Sequence, residues 1–223
     1  MSMRPARSWS AELWELIEPT QAAILEHPFL TGLSDGTLEP AAFARYLAQD
    51  GHYLRDYARC LAVVGAKADT PADLAMFARH SAGAVEVELA LHGTLLPALG
   101  VDVAAANVEP VTQAYTSYLL ATAYAGTFAE GLAAVLPCYW IYAEVGAALL
   151  ERGSPDPRYQ QWIDTYAGEE FAVLVKAVLE LVDRVGPGLG TLEKDRANAH
   201  ARMTARYEWM FWDAAYRNEQ WPL

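Results

Sequence analysis

Cysteine is scarce in this chain: there are two in 223 residues, Cys60 and Cys138. They lie far apart and without CxxC spacing, which excludes a zinc ribbon or a disulfide framework and leads us to expect free thiols in a cytoplasmic protein. Positive charge is also short, with 16 Lys and Arg against 28 Asp and Glu, a formal charge of −12. Nucleic acids and anionic lipid surfaces both require clustered cations, so neither is an expected partner and a neutral or cationic small molecule is. The longest apolar run, Leu132 to Ala143, falls short of the roughly 20 residues that span a bilayer. The start, MSMRPARSWSAELW, has two arginines with no apolar stretch behind them, unlike a secretory leader, and residues 1–8 read as a flexible tail.

Other absences narrow the chemistry. No segment alternates with period two between hairpin signals, so no strands are expected, and there is no internal repeat or low-complexity tract. A glycine-rich phosphate loop and a Gly-x-Ser-x-Gly elbow are missing. The histidines are His27, His52, His80, His92 and His200. A di-iron bundle would need Glu-x-x-His pairs, whereas Glu88 and His92 are four apart, so no metal site and no cofactor are expected.

What remains is helical. With 53% apolar residues the chain can build one large core, and residues 9–223 read as a single domain. Glycine and proline cluster near 32–36, 100–110, 153–157 and 186–190. The stretches between them predict helices at about 10–28, 40–68, 71–97, 111–125, 128–151, 157–165, 169–185 and 191–218. Thr70 with Asp73 and Thr127 with Glu130 have capping-box spacing, and Pro40 suits a first helical turn. The fold class is therefore all-α, a bundle whose interior can carry a site.

Three stretches could carry chemistry. In Leu136-Pro137-Cys138-Tyr139-Trp140-Ile141-Tyr142, Cys138 and Tyr142 share a helical face, and Pro137 removes a backbone donor just before the thiol, which favours a kink. Free cysteine is equally at home as a small core hydrophobe, and Cys60, seven residues after Tyr53, is not excluded by helical geometry. Tyr46, Asp50, Tyr53 and Tyr57 line one face of another helix, placing a single carboxylate among phenols. Such a carboxylate could hold an amino group or ring nitrogen, or could simply be solvated. Glu208, within Tyr207-Glu208-Trp209-Met210-Phe211-Trp212, would be a protonated general acid if it faced the aromatics and an ordinary surface residue if it faced water. Tyr115, Tyr118 and Tyr166 add phenols suited to stacking on a flat heterocycle or to helix packing.

Together with His27-Pro28-Phe29-Leu30, Gly32 to Leu38, Tyr46 to Asp50 and Trp162 to Tyr166, these segments resemble the cysteine-containing branch of the thiaminase II (TenA) family, from about residue 10 to 220. The resemblance implies a haem-oxygenase-like helical bundle without haem, assembled as a homotetramer. It implies hydrolysis of 4-amino-5-aminomethyl-2-methylpyrimidine to the hydroxymethyl pyrimidine in thiamin salvage, with thiamin itself also a substrate. Carried over by position, Cys138 is the nucleophile, Glu208 the proton donor, and Tyr53 the residue that makes the thiol more nucleophilic. Asp50 and Tyr142 bind substrate, and Tyr115, Tyr166 and Phe211 are further pocket aromatics. Gly51-His52 departs from the family's usual small polar and aromatic pair beside the aspartate.

Overall fold

A computed structural model of the chain describes residues 8–93, 99 and 106–222, with the side chains of 87–93 set aside. The described residues form α-helices and no strands: α1 (Trp9–Leu25), α2 (Pro28–Asp35), α3 (Pro40–Ala66), α4 (Pro71–Gly93), α5 (Pro110–Ala125), α6 (Phe128–Leu150), α7 (Pro157–Ala167), α8 (Glu169–Val185) and α9 (Thr191–Arg217). Most boundaries match the expected ones within a few residues. The expected stretch 94–97 of the fourth helix, the Glu88–His92 side-chain pair and residues 1–7 of the expected tail lie outside the description.

One expected element is wrong in a physically clear way. The helix expected at 10–28 ends at Leu25, and a second, unexpected helix begins at Pro28, because proline at 28 holds His27 in an extended conformation (φ −66°, ψ 138°). Proline then serves as the first residue of α2. His27 caps that new start, its Nδ1 accepting the Phe29 amide proton at 3.1 Å. The Nε2 of His27 therefore carries the proton that points to the buried Asp213 on α9, 3.3 Å away. Gly36, in the left-handed region at φ 79°, ends α2.

The two capping boxes differ. At α6 both halves form: Thr127 accepts from the Glu130 amide and Glu130 accepts from the Thr127 amide. At α4, Thr70 accepts from the Asp73 amide at 3.1 Å, while the Asp73 carboxylate receives the Arg184 guanidinium at 2.6 Å.

α3 and α6 are the central elements. α3 packs against α4 and α5, while α6 packs against α7 and α9. Between Tyr46 and Gly51 every residue of α3 is buried. α6 is long and apolar enough to cross a membrane by length and composition, yet 67% of its apolar window is covered by the rest of the protein, as in a core helix. It runs through Pro137 without interruption.

An aromatic layer ties α2, α3, α7 and α9 together. Tyr46 stacks on Trp212 at 4.7 Å and 7°. Phe29 meets Trp212 at 5.3 Å, and Trp162 crosses it edge-on at 5.5 Å. Burying each large ring contributes roughly 1.5–3 kcal/mol, with about 0.5–1.5 kcal/mol more for each well-placed ring pair. This layer holds rigid the α3 turn that carries Asp50.

Candidate active site

A cavity of about 550 Å³ opens between α3, α4, α6, α7 and α8. Asp50, Tyr53, Cys138, Tyr142 and Tyr166, all expected site residues, border it. Of the α3 face read from helical spacing, Asp50, Tyr53 and Tyr57 meet the cavity while Tyr46 packs in the aromatic layer, and the cysteine that meets the cavity is Cys138. Cys60 lies elsewhere, fully buried, its thiol donating to the Leu119 carbonyl at 3.5 Å and pushed up to about 12 by burial. It is an inert core thiol.

Cys138 is half-buried and borders the cavity. Burial pushes its thiol well above the ordinary value, and negative charge at Glu208 pushes it further. The Tyr53 and Tyr57 hydroxyls act in the opposite direction as hydrogen-bonding neighbours of the sulfur. The Tyr53 hydroxyl makes no hydrogen bond of ordinary geometry, although the sulfur is near enough to feel it. A phenol so placed can donate to sulfur without surrendering another bond when the sulfur becomes charged.

Glu208, on α9, is 1% exposed, so it faces the aromatics and not water. Burial raises its carboxyl to about 8, with the Asp50 charge adding to the rise against a Tyr115 hydrogen bond. That bond is short, with Tyr115 donating to Oε1 at 2.6 Å. At neutral pH Glu208 therefore holds a proton within reach of the electrostatics of Cys138. Glu208, Tyr115 and Phe211, also expected site residues, do not themselves border the cavity. Tyr53 links them to it, with ring centroids 5.0 Å from Tyr115 and 5.8 Å from Phe211.

Asp50 is 2% exposed, so the solvated alternative does not hold. Its negative charge reaches Tyr46 on its own helix and Tyr166 on α7. Tyr142 shares a hydrogen bond with the Tyr46 hydroxyl at 3.0 Å and meets Tyr166 at 4.8 Å between centroids. The α6–α7 approach that joins those two rings depends on Gly146, where a Cβ would lie 2.6 Å from the Tyr166 carbonyl carbon.

Sequence reasoning placed Tyr57 on the α3 face without giving it a part, and it missed His80, Tyr139 and the mouth residues Arg79, Glu86 and Glu170. Tyr139 adjoins Cys138 in sequence, which was an available signal. His80 had none, since α4 carries a weak apolar pattern. Among the described residues no group of His, Cys, Asp and Glu side chains is placed to hold a metal ion.

Such a site can polarise a flat nitrogen heterocycle, attack it with sulfur and supply a proton, and known proteins share the fold. A Pyrococcus horikoshii OT3 structure described as a TenA homologue superposes with TM-score 0.85 at 32% identity, covering 95% of this chain and 99% of that one. A Shewanella denitrificans domain described as having a haem-oxygenase-like fold superposes with TM-score 0.73 at 19% identity, covering 93% and 92%, which shows the fold alone. An aminopyrimidine aminohydrolase of Halalkalibacterium halodurans is 36% identical over 96% of this chain and 98% of that protein. A thiamine biosynthesis multifunctional protein, ThiED, of Corynebacterium efficiens is 39% identical over 97% of this chain, which spans only 29% of that longer protein. Residues 14–218 match the TENA/THI-4/PQQC family, and with nearly its whole length accounted for in this way, the chain belongs to that family.

Proposed function

We propose that this chain is an aminopyrimidine aminohydrolase, a thiaminase II that releases 4-amino-5-hydroxymethyl-2-methylpyrimidine from aminomethyl precursors, and from thiamin, for thiamin salvage. The observation that carries this reading is one thiol, Cys138, at the wall of an aromatic cavity that also holds Asp50, with the protonated Glu208 directly behind. The pyrimidine lies between aromatic faces, its amino group and a ring nitrogen held by Asp50, with Tyr142 and Tyr166 on one side and Tyr53, backed by Tyr115 and Phe211, on the other.

Cys138 adds as thiolate to the ring carbon next to the substituted carbon. The displaced electron pair settles on a ring nitrogen, which takes a proton from Glu208. Ring electrons then expel the amine or thiazole from the exocyclic methylene, water adds there, and the sulfur leaves as aromaticity returns. Covalent catalysis divides one difficult displacement into easier steps. Tyr53 contributes by donating a hydrogen bond to the sulfur as it gains charge.

Cys138→Ser is expected to abolish pyrimidine release while the protein stays folded, and Cys60→Ser to keep it, as measured by product chromatography. Equal turnover in wild type and Cys138→Ser, or stoichiometric binding of the aminopyrimidine with no turnover, would overturn the proposal. We further infer a cytoplasmic homotetramer formed from this domain, which sedimentation equilibrium tests.

A further inference from the structure

The proposed chemistry leaves one proton without a destination. Cys138 rests as a thiol and Glu208 rests protonated, so when sulfur adds to the ring and Glu208 gives its proton to the ring nitrogen, the thiol proton must go to another base. Asp50 is committed to the ring by the same proposal. Among the described residues the buried imidazole on the cavity wall, His80, has no part in that mechanism.

The connection between His80 and the sulfur runs through two phenols. The Nδ1 of His80 lies 2.9 Å from the Tyr139 hydroxyl. The Tyr57 and Tyr139 rings are 5.9 Å apart, and the Tyr57 hydroxyl is close enough to influence both Tyr139 and Cys138. At rest the Tyr57 proton is given to the Val135 carbonyl at 2.9 Å, which leaves the Tyr57 oxygen turned to accept. His80, Tyr139, Tyr57 and Cys138 all border the same cavity.

We propose that His80 is the proton acceptor for the Cys138 thiol, reached through Tyr57 and Tyr139. The S–H bond breaks as the Tyr57 oxygen takes its proton, the Tyr57 hydroxyl turns its own proton from the Val135 carbonyl to the Tyr139 oxygen, and Tyr139 passes its own to Nδ1 of His80. The result is thiolate and imidazolium with both phenols restored, and no net charge is created. When the sulfur leaves the ring, the proton returns along the same path. Burial keeps the free imidazole below its ordinary value, with Arg79 acting in the same direction, so at neutral pH its Nδ1 is an open acceptor facing a phenolic donor. His80 acts on the sulfur only through the two phenols. It is therefore a positioning residue for the proton, while Tyr57 is the group in contact with the reacting atom.

This inference rests on the aminohydrolase reading for its role in turnover, so its test reads the thiol directly. In a Cys60→Ser background, the rate of Cys138 alkylation by iodoacetamide at pH 7 is measured for His80→Asn, His80→Leu and Tyr139→Phe, alongside kcat and KM for the aminomethyl pyrimidine. Asparagine keeps an acceptor for the Tyr139 hydroxyl but cannot take up a proton. All three variants are expected to lose roughly hundredfold in kcat, with KM little changed and alkylation slowed in parallel. Wild-type alkylation in His80→Asn would overturn the relay and leave His80 a packing residue, and so would wild-type alkylation in Tyr139→Phe, which retains the ring and its packing. If the wild-type protein released no product, only the aminohydrolase reading would fail, because alkylation would still report the path.

Discussion

A carboxyl that is 1% exposed and keeps its proton up to a pH of about 8 sets folding against ionisation. In the unfolded chain Glu208 ionises near 4.5, so between that pH and about 8 the unfolded state has released a proton that the folded state retains. Rising pH then favours unfolding, by about 1.4 kcal/mol for each unit of the window actually crossed. Below 4.5 the two states match, and above about 8 the penalty is constant. Glu208→Gln keeps the shape and the acceptor for Tyr115 and removes the titration. The stability of the variant relative to wild type should therefore climb across this window by a few kcal/mol in order of magnitude, read from urea midpoints at pH 5, 7 and 9. A flat difference would show that Glu208 ionises like an exposed carboxyl. The same substitution removes the proposed proton donor and should lower kcat roughly 10²–10⁴-fold. Gain of stability with loss of turnover is the pattern expected where an ionisable group is buried for chemistry and not for folding.

At the scale of the element, the contact between α6 and α7 is decided by one glycine. A Cβ at Gly146 would stand 2.6 Å from the Tyr166 carbonyl carbon and 2.8 Å from the Ala167 amide nitrogen, and these backbone atoms cannot step aside alone. Gly146→Ala must therefore push back the end of α7 and draw Tyr166 away from Tyr142. The expected cost is about 1–3 kcal/mol in stability and a severalfold rise in KM, measured by thermal melting and steady-state kinetics. Gly188→Ala, whose new methyl would meet nothing within 4 Å, is the control expected to leave KM alone. A melting temperature that drops with no change in KM would mean that Tyr166 does not touch the substrate. The same scale explains what was legible beforehand. α6 and α8 could be read closely from the sequence because a Thr-x-x-Glu box, or a glycine at each end, marks their limits in local chemistry. α2 was missed because eight residues are too few to show a period, and because Pro28 reads as a break until His27 is seen capping it. The α3 face of Tyr46, Asp50, Tyr53 and Tyr57 was legible from spacing alone. The pairs Tyr115–Glu208 and His80–Tyr139 were not, since each joins helices whose approach only the packed bundle determines.

At the scale of the whole molecule, the excess of 12 negative charges bears on which substrate is captured. Among the described residues the cavity lining carries Glu86 and Glu170 against one arginine, Arg79, so a cation approaching it moves down a potential that a neutral molecule does not feel. Two pyrimidines that differ in the charge of one side chain test this. The aminomethyl compound is an ammonium ion at neutral pH, whereas its formylamino counterpart carries no charge on the same side chain. Salt shortens the reach of the protein's field from roughly 10 Å at 0.1 M to about 3 Å at 1 M. KM for the aminomethyl compound should therefore rise severalfold between low and high salt, while KM for the formylamino compound stays nearly level. Since both present the same ring to Asp50 and Cys138, any general effect of salt on the folded protein or on the thiol would move them together. A common salt slope for both would show that capture is governed by the aromatic walls alone, and unequal slopes would assign leaving-group preference to the acidic mouth.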